Sequence, residues 1–206
     1  MHLVSSYSTA EVTAPTAEPL QVSEVRRHLS LDDSFYDDYL SSLIEVTRAT
    51  VEAETHRQLV TATYDMTTDQ LPAGIETLYL PFGQLQSITS ITYTDTAGAT
   101  QTFSSGDYDV SIAREPGTVR PAYGEVWPAA RAQQEAATIR FICGYGAASA
   151  VPQAIKHAML LLIGHYFNNR EQTTIGVMAM EIPQAAGALL APFKLGDSFQ
   201  WYAPGS

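Results

Sequence analysis

Lysine is almost missing from this 206-residue chain. Two lysines, Lys156 and Lys194, stand among 11 basic residues, against 22 acids, for a net charge of −11. Free binding to nucleic acid through phosphate neutralisation needs clustered Lys and Arg, so the composition argues against that class of activity. An acidic surface can still serve beside DNA where adhesion must be avoided. Cysteine is scarcer still: Cys143 stands alone, which rules out an intramolecular disulfide framework and argues against a Cys-rich metal site. Charged residues reach only 16%, well under the usual quarter or so, and uncharged polar residues fill the gap. No run approaches the ~18 apolar residues of a membrane span, and no basic region precedes an apolar stretch at the N-terminus. The expectation is a soluble, non-secreted protein without a membrane partner. Gly-rich phosphate loops, GxSxG, HExxH and CxxC pairs are absent too, and most catalytic vocabulary goes with them.

What is present is apolar patterning, and its densest stretch is IKHAMLLLIGHYFNNRE, residues 155–171. On a helix Ile155, Ala158, Met159, Leu162, Ile163 and Tyr166 fall within a stripe about 140° wide, which is a core face. His157 and His165 lie about 12 Å apart along the axis and roughly 80° apart around it, so they cannot share one metal. Leu160, Leu161 and Phe167 lie off the main stripe, and Gly164 interrupts the helix beside His157 and Leu161. A helix that is apolar nearly all round needs a second cover. A neighbouring copy of the chain is the expected one, with Gly164 allowing close backbone approach.

Along the chain, residues 1–19 show no sustained period and read as an arm that is mobile or ordered only on a partner. The core spans 20–170, with helices expected at 23–29, 37–56 and 152–170 around a β-rich insertion at 58–146. In the second helix Leu40, Leu43, Ile44, Thr47 and Val51 share one face, while Asp38, Glu45 and Glu52 point away. Asp32, Asp33, Asp37 and Asp38 cluster at its start, where carboxylates suit the positive helix end; they lack the ligand order of a calcium loop and read as an acidic rim. Glu54 has Arg57 as its nearest expected partner. The insertion is built from short β-branched or aromatic runs at 58–66, 77–81, 85–95, 100–103, 107–113 and 137–146, with DTAGAT as a hairpin turn. Strict alternation puts Ile88 and Ser90 on one face and Ile91 and Tyr93 on the other. Pro116 and Pro121 argue for an edge position of the strand between them. Ile139, Phe141 and Cys143 share a face, so Cys143 reads as a small buried hydrophobe. From 171 to 206 the period decays, but Val177, Met178, Met180, Ile182, Leu189, Leu190, Phe193, Phe199 and Trp201 need burial on the core or on a partner.

The ordered combination VSEVRRHLSL, DDSFYDDYLSSLIEVTRATVEAETHRQLV, LYLPFGQLQSITSITYTD, the YDV…PGTVRPA…WP segment, IRFICGYG, VPQAIKHAMLLLIGHYFNNRE and IPQAAGALLAPFK resembles the head-tail connector or adaptor proteins of tailed bacteriophages, the head completion or gp6-like group, including adaptors of gene transfer agents. The resemblance covers residues 20 to about 195 and leaves residues 1–19 unmatched. His56 stands where relatives often have glycine before the arginine, which bears on the helix C-cap. The resemblance implies an α+β fold, a helical bundle with an inserted antiparallel β-rich subdomain and extended terminal arms. It implies a non-enzymatic virion component at the capsid–tail junction, assembled in the host bacterial cytoplasm. Such proteins form a ring, commonly a dodecamer, under the portal protein, extending the DNA channel and carrying head-closure, stopper or tail proteins. No cofactor, metal or catalytic residue is implied, and double-stranded DNA passes without specific binding.

On that reading Leu160, Leu161, Gly164 and Phe167 serve the subunit interface. Ile182, Leu189, Leu190 and Phe193 dock on the portal or a neighbour, and Asp32, Asp33, Asp37 and Asp38 form the acidic rim. Three rivals remain: another neck protein, a stopper or tail terminator, which would be mostly β; a small hydrolase using His157 or His165 with Glu171 or Cys143; and a soluble binding module without assembly function.

Overall fold

The computed structural model describes residues 7–169 and 183–195. These divide into two compact units. One is helical, Thr16–Val60 with Tyr145–Lys194; the other is β-rich, Thr61–Gly144 with the chain up to Pro15.

The helical unit holds α1 (Val22–His28), α2 (Asp37–Thr55), α3 (Gln153–Asn168) and α4 (Gln184–Leu190). The Glu24 carboxylate, one turn into α1, accepts the Gln21 N–H at 2.8 Å and closes the helix start. Leu40, Leu43, Ile44, Thr47 and Val51 of α2 are all buried, as their spacing requires. They meet Ile155, Ala158, Met159, Leu162 and Ile163 of α3, together with Val25, Ala186 and Leu190. Each such Leu or Ile contributes about 1.5–3 kcal/mol of burial before entropy losses. His56 ends α2 in the left-handed conformation, φ 54° and ψ 34°, the geometry for which glycine is favoured at this cap.

The β unit contains β1 (Tyr7–Thr13), β2 (Ala62–Thr68), β3 (Leu78–Tyr79), β4 (Leu85–Thr94), β5 (Thr100–Phe103), β6 (Tyr108–Ser111), β7 (Thr118–Pro121) and β8 (Ala137–Cys143). Five strands form one antiparallel sheet in the order β1-β2-β8-β4-β5, and three form another in the order β3-β7-β6. A single apolar cluster joins them: Met66, Leu85, Ile91, Phe103, Ile139, Phe141 and Cys143 of the larger sheet with Leu78, Tyr108, Val119 and Trp127. Gly117 permits the approach, because a Cβ placed there would lie 2.3 Å from the Leu85 Cβ.

Three expectations are corrected here. The arm at 1–19 is an ordered strand over 7–13, because an edge ladder needs backbone groups and not an apolar period. In β4 the register shifts twice against β8, so Ile88 lies opposite Phe141 and Ile91 opposite Ile139. These bulges bring Leu85, Ile88, Ile91 and Tyr93 to one face, which strict alternation divides. β7 is the central strand of its sheet, yet Pro121 is tolerated. β3 pairs only with Thr118 and Val119, so by Pro121 the strand has a single neighbour, at Tyr108.

Candidate assembly site

The second apolar side of α3 is less bare than its sequence implies. Leu160, Leu161 and Phe167 are partly buried and pack against the helical core of their own chain. A Cβ on Gly164 would meet His28 Nε2 and Leu29 Cδ2 of α1, each at 3.8 Å, so the close approach this glycine allows is used within the protomer. The Phe167 ring stands edge-on to Tyr36 at 5.3 Å and lies 6.1 Å from Tyr39. What α3 leaves open is a rim of partial exposure rather than a full face.

The stretch from α4 to Lys194 is fastened to the helical unit. Leu190 is fully buried, so its assignment to a docking surface is corrected: the protomer core already encloses it. Leu189 and Phe193 are partly exposed. The Arg57 guanidinium donates from Nε to the Phe193 carbonyl, and Lys194 pairs with Glu54, the acid for which Arg57 was the expected partner. Ile182, Arg170, Glu171, Val177, Met178, Met180, Phe199 and Trp201 lie outside the described residues.

Of the acidic rim, Asp32, Asp33 and Asp38 are exposed, while Asp37 pairs with Arg26 at 3.2 Å. Asp33 Oδ1 accepts the Phe35 N–H at 3.1 Å, which fixes a loop whose Phe35 side chain is 81% exposed. The Phe35 ring rests edge-on to Tyr36 at 4.9 Å. This exposed, held aromatic was missed in sequence; its signal is the FY pair between two Asp-Asp steps.

Glu52 departs furthest from its expected solvent position. Its carboxylate accepts the Leu59 N–H at 3.0 Å, the Gln58 amide at 2.9 Å and Arg48 at 3.1 Å, while Arg48 also reaches Glu18 at 2.8 Å. Burial pushes the Glu52 carboxyl above the ordinary range, against the lowering effects of the Leu59 N–H and Arg48. This network ties the chain entering α1 and leaving α2 to one helix side.

Chemistry-bearing residues are dispersed. His157 faces His28, ring centroids 6.3 Å apart, whereas His165 sits two turns further on, with its carbonyl accepting the Asn169 amide at 2.8 Å. Cys143 is fully buried in the β core. Among the described residues no three His, Cys, Asp or Glu side chains form a group that could hold a metal ion, and no helix is long and apolar enough to cross a membrane.

This two-unit arrangement can be compared with solved structures. Over 91% of its length the chain is similar to 95% of a chain from the neck of an empty GTA particle computed with C6 symmetry, with a TM-score of 0.74 and 22% identity. A chain from the neck of a native GTA particle computed with C12 symmetry matches with a TM-score of 0.71 and 24% identity, over 91% of this chain and 94% of that one. The chain shares its fold with neck proteins. A chain in the virion of a native gene transfer agent particle adds a TM-score of 0.69 at 25% identity, covering 90% of this chain and 94% of that one. No family model matches the sequence, and no curated protein does. The neck fold therefore accounts for nearly the whole chain, helices and sheets together.

Proposed function

We propose that this chain is a head-tail adaptor of a phage-like particle, a structural virion protein and not an enzyme. Copies form a ring beneath the portal at the capsid–tail junction, extend the DNA channel and carry head-closure or tail proteins. The observation that supports this most directly is the shared fold over 90% or more of both chains with components of gene transfer agent particles. Twelve is the copy number proposed, a number compatible with necks computed with C12 and with C6 symmetry.

The surfaces assigned to these contacts follow from what the protomer leaves open. The exposed parts of Leu160, Leu161 and Phe167, with Phe35 beside them, serve the neighbour. Leu189 and Phe193 serve the portal, and Ile182, outside the described residues, is assigned with them from sequence alone. The carboxylates of Asp32, Asp33 and Asp38 repel the phosphate backbone wherever DNA passes, so it moves without adhering.

Mass measurement of the purified chain, alone and mixed with its cognate portal protein, tests the proposal. Rings, or co-sedimentation with portal rings, are expected. A strict monomer that never joins the portal would sink it. The stopper and tail-terminator alternatives call for a mostly β chain, and the helical unit weighs against them.

A further inference from the structure

Single exposed apolar side chains are ordinary on a protein surface, but several on one stiff mount are not. The β unit carries such a mount. The chain turns tightly at 73–76, where the Glu76 N–H donates to the Ala73 carbonyl at 3.2 Å and the Glu76 carboxylate accepts the Ala73 N–H at 3.3 Å. It turns again at 122–125, closed by the Glu125 N–H on the Ala122 carbonyl at 3.0 Å. Gly74 at φ 58° and Gly124 at φ 90° supply the left-handed residue of each turn. Trp127 joins the two turns: its N–H donates to the Gly74 carbonyl at 2.9 Å and its indole Nε1 to the Glu76 carbonyl at 2.7 Å. The indole is buried against Phe103, ring centroids 5.6 Å apart, and Phe103 lies 5.7 Å from Tyr108.

Turns ordinarily show Gly, Pro, Asn, Asp or Ser to solvent. These show Ile75 at 71% exposure, Tyr123 at 103% and Val126 at 58%. The bonds that hold the mount run through main chain, Glu76 and Trp127, so the three apolar side chains contribute little to the protomer. The charge beside them indicates what covers them. Glu125 is exposed, Glu76 is half-buried, and the Asp107 carbonyl accepts the Ala122 N–H at 2.9 Å. The nearest base in sequence, Arg120, stands opposite Asp109 on β6. An apolar tip bordered by acids fits a socket rimmed by Lys and Arg. A second copy of this chain has few such residues to offer, because Arg26, Arg48, Arg140 and Lys194 already pair with its own acids and Lys156 is buried. On the adaptor reading, on which this inference rests, Leu189 and Phe193 of the helical unit serve the portal. The partner left for this tip is the head-closure protein.

We propose that Ile75, Tyr123 and Val126 form a preformed knob that docks the head-closure protein, entering an apolar socket whose rim carries Lys and Arg. Rings of the full-length Ile75→Ser/Tyr123→Ser/Val126→Ser protein test this against the purified cognate portal and head-closure proteins. Ring yield and portal affinity should match wild type, while affinity for the head-closure protein falls roughly tenfold or more. Unchanged head-closure affinity, or a loss that falls instead on ring yield or on portal binding, would overturn the assignment and leave the adaptor reading standing. Should the triple variant not fold, Tyr123→Ser alone, at a fully exposed side chain, carries the same measurement. Glu125→Lys should also weaken head-closure binding, most of all in dilute buffer. Tighter or unaltered binding there would overturn the basic rim. A wild-type chain that forms no ring, alone or with portal, removes both the knob and the adaptor reading.

Discussion

The helical unit and the β unit bury similar apolar side chains by different rules. In α2 and α3 every core residue follows from one helical period, and the helices meet through side chains alone. In the β unit the core face of β4 exists because two bulges rotate Ile88 into line with Ile91, and the sheets meet because Gly117 has no side chain. A helix core tolerates change in proportion to volume lost, whereas the sheet contact is an all-or-nothing fit at one backbone position.

Substitutions can sharpen or break this contrast. Leu162→Ala, at a fully buried site of α3, should cost about 3–4 kcal/mol through transfer and cavity terms, with amide exchange accelerating in the helices. Gly117→Ala adds one methyl rather than removing several, yet should cost on the order of 3 kcal/mol, because Leu85 or the backbone must move. Its exchange signature should centre on β4 and β7. If Gly117→Ala unfolds at the wild-type temperature, the fit at this position is looser than the geometry states.

The two units also hold acids of opposite sign in their response to pH. Glu52 has a raised pKa, so the folded chain keeps its proton while the unfolded chain has lost it. Its effect is a loss of stability as pH rises from the ordinary glutamate range through the folded value. Asp95 in the β4–β5 turn is held low by the Gln101 amide and by the Ala99 and Ala97 N–H groups. Its contribution is present above the ordinary aspartate range and is lost as pH falls through the folded value. Denaturant titrations of Glu52→Gln and Asp95→Asn against wild type, across the acid range, should therefore diverge in opposite directions. Parallel curves would remove the distinction. The smallest expected change is a gain: His56→Gly should stabilise by about 0.5–1 kcal/mol, since glycine adopts the left-handed cap without the Cβ cost. An unchanged midpoint would mean that a histidine contact offsets that cost.

How much was legible in sequence follows the same division. Spacing alone placed Leu40 to Val51 and Ile155 to Ile163 inside, because each helix repeats one geometry over many residues. Strand positions were legible as well, but not the faces of β4, since a bulge leaves no mark in composition. β1 was invisible as a strand because its side chains from Ser8 to Thr13 are exposed and carry no apolar period. The partners of Glu54 and Arg57 were out of reach for a different reason: Lys194 and Phe193 lie 140 and 136 residues away, and no local rule pairs them. For the assembly site, the apolar residues were identified correctly as apolar, but how far each was already covered depended on α1 and α4. Leu190 and Gly164 turned out to serve the protomer.

The hydroxyl groups of α2 show how polar side chains are carried on a helix that faces the core. Ser41, Thr47, Thr50 and Thr55 donate to the carbonyls four residues back at 2.7–3.0 Å, and Ser42 does so three back. With its hydroxyl turned onto its own helix, a buried threonine such as Thr47 or Thr55 offers the core a methyl group. These hydroxyls are satisfied within the helix, beside the ion pairs that Asp37, Arg48, Glu52 and Glu54 make. With 22 acids against 11 basic residues, what dissolved salt chiefly screens is repulsion among the acids, so folding should strengthen as ionic strength rises from dilute buffer.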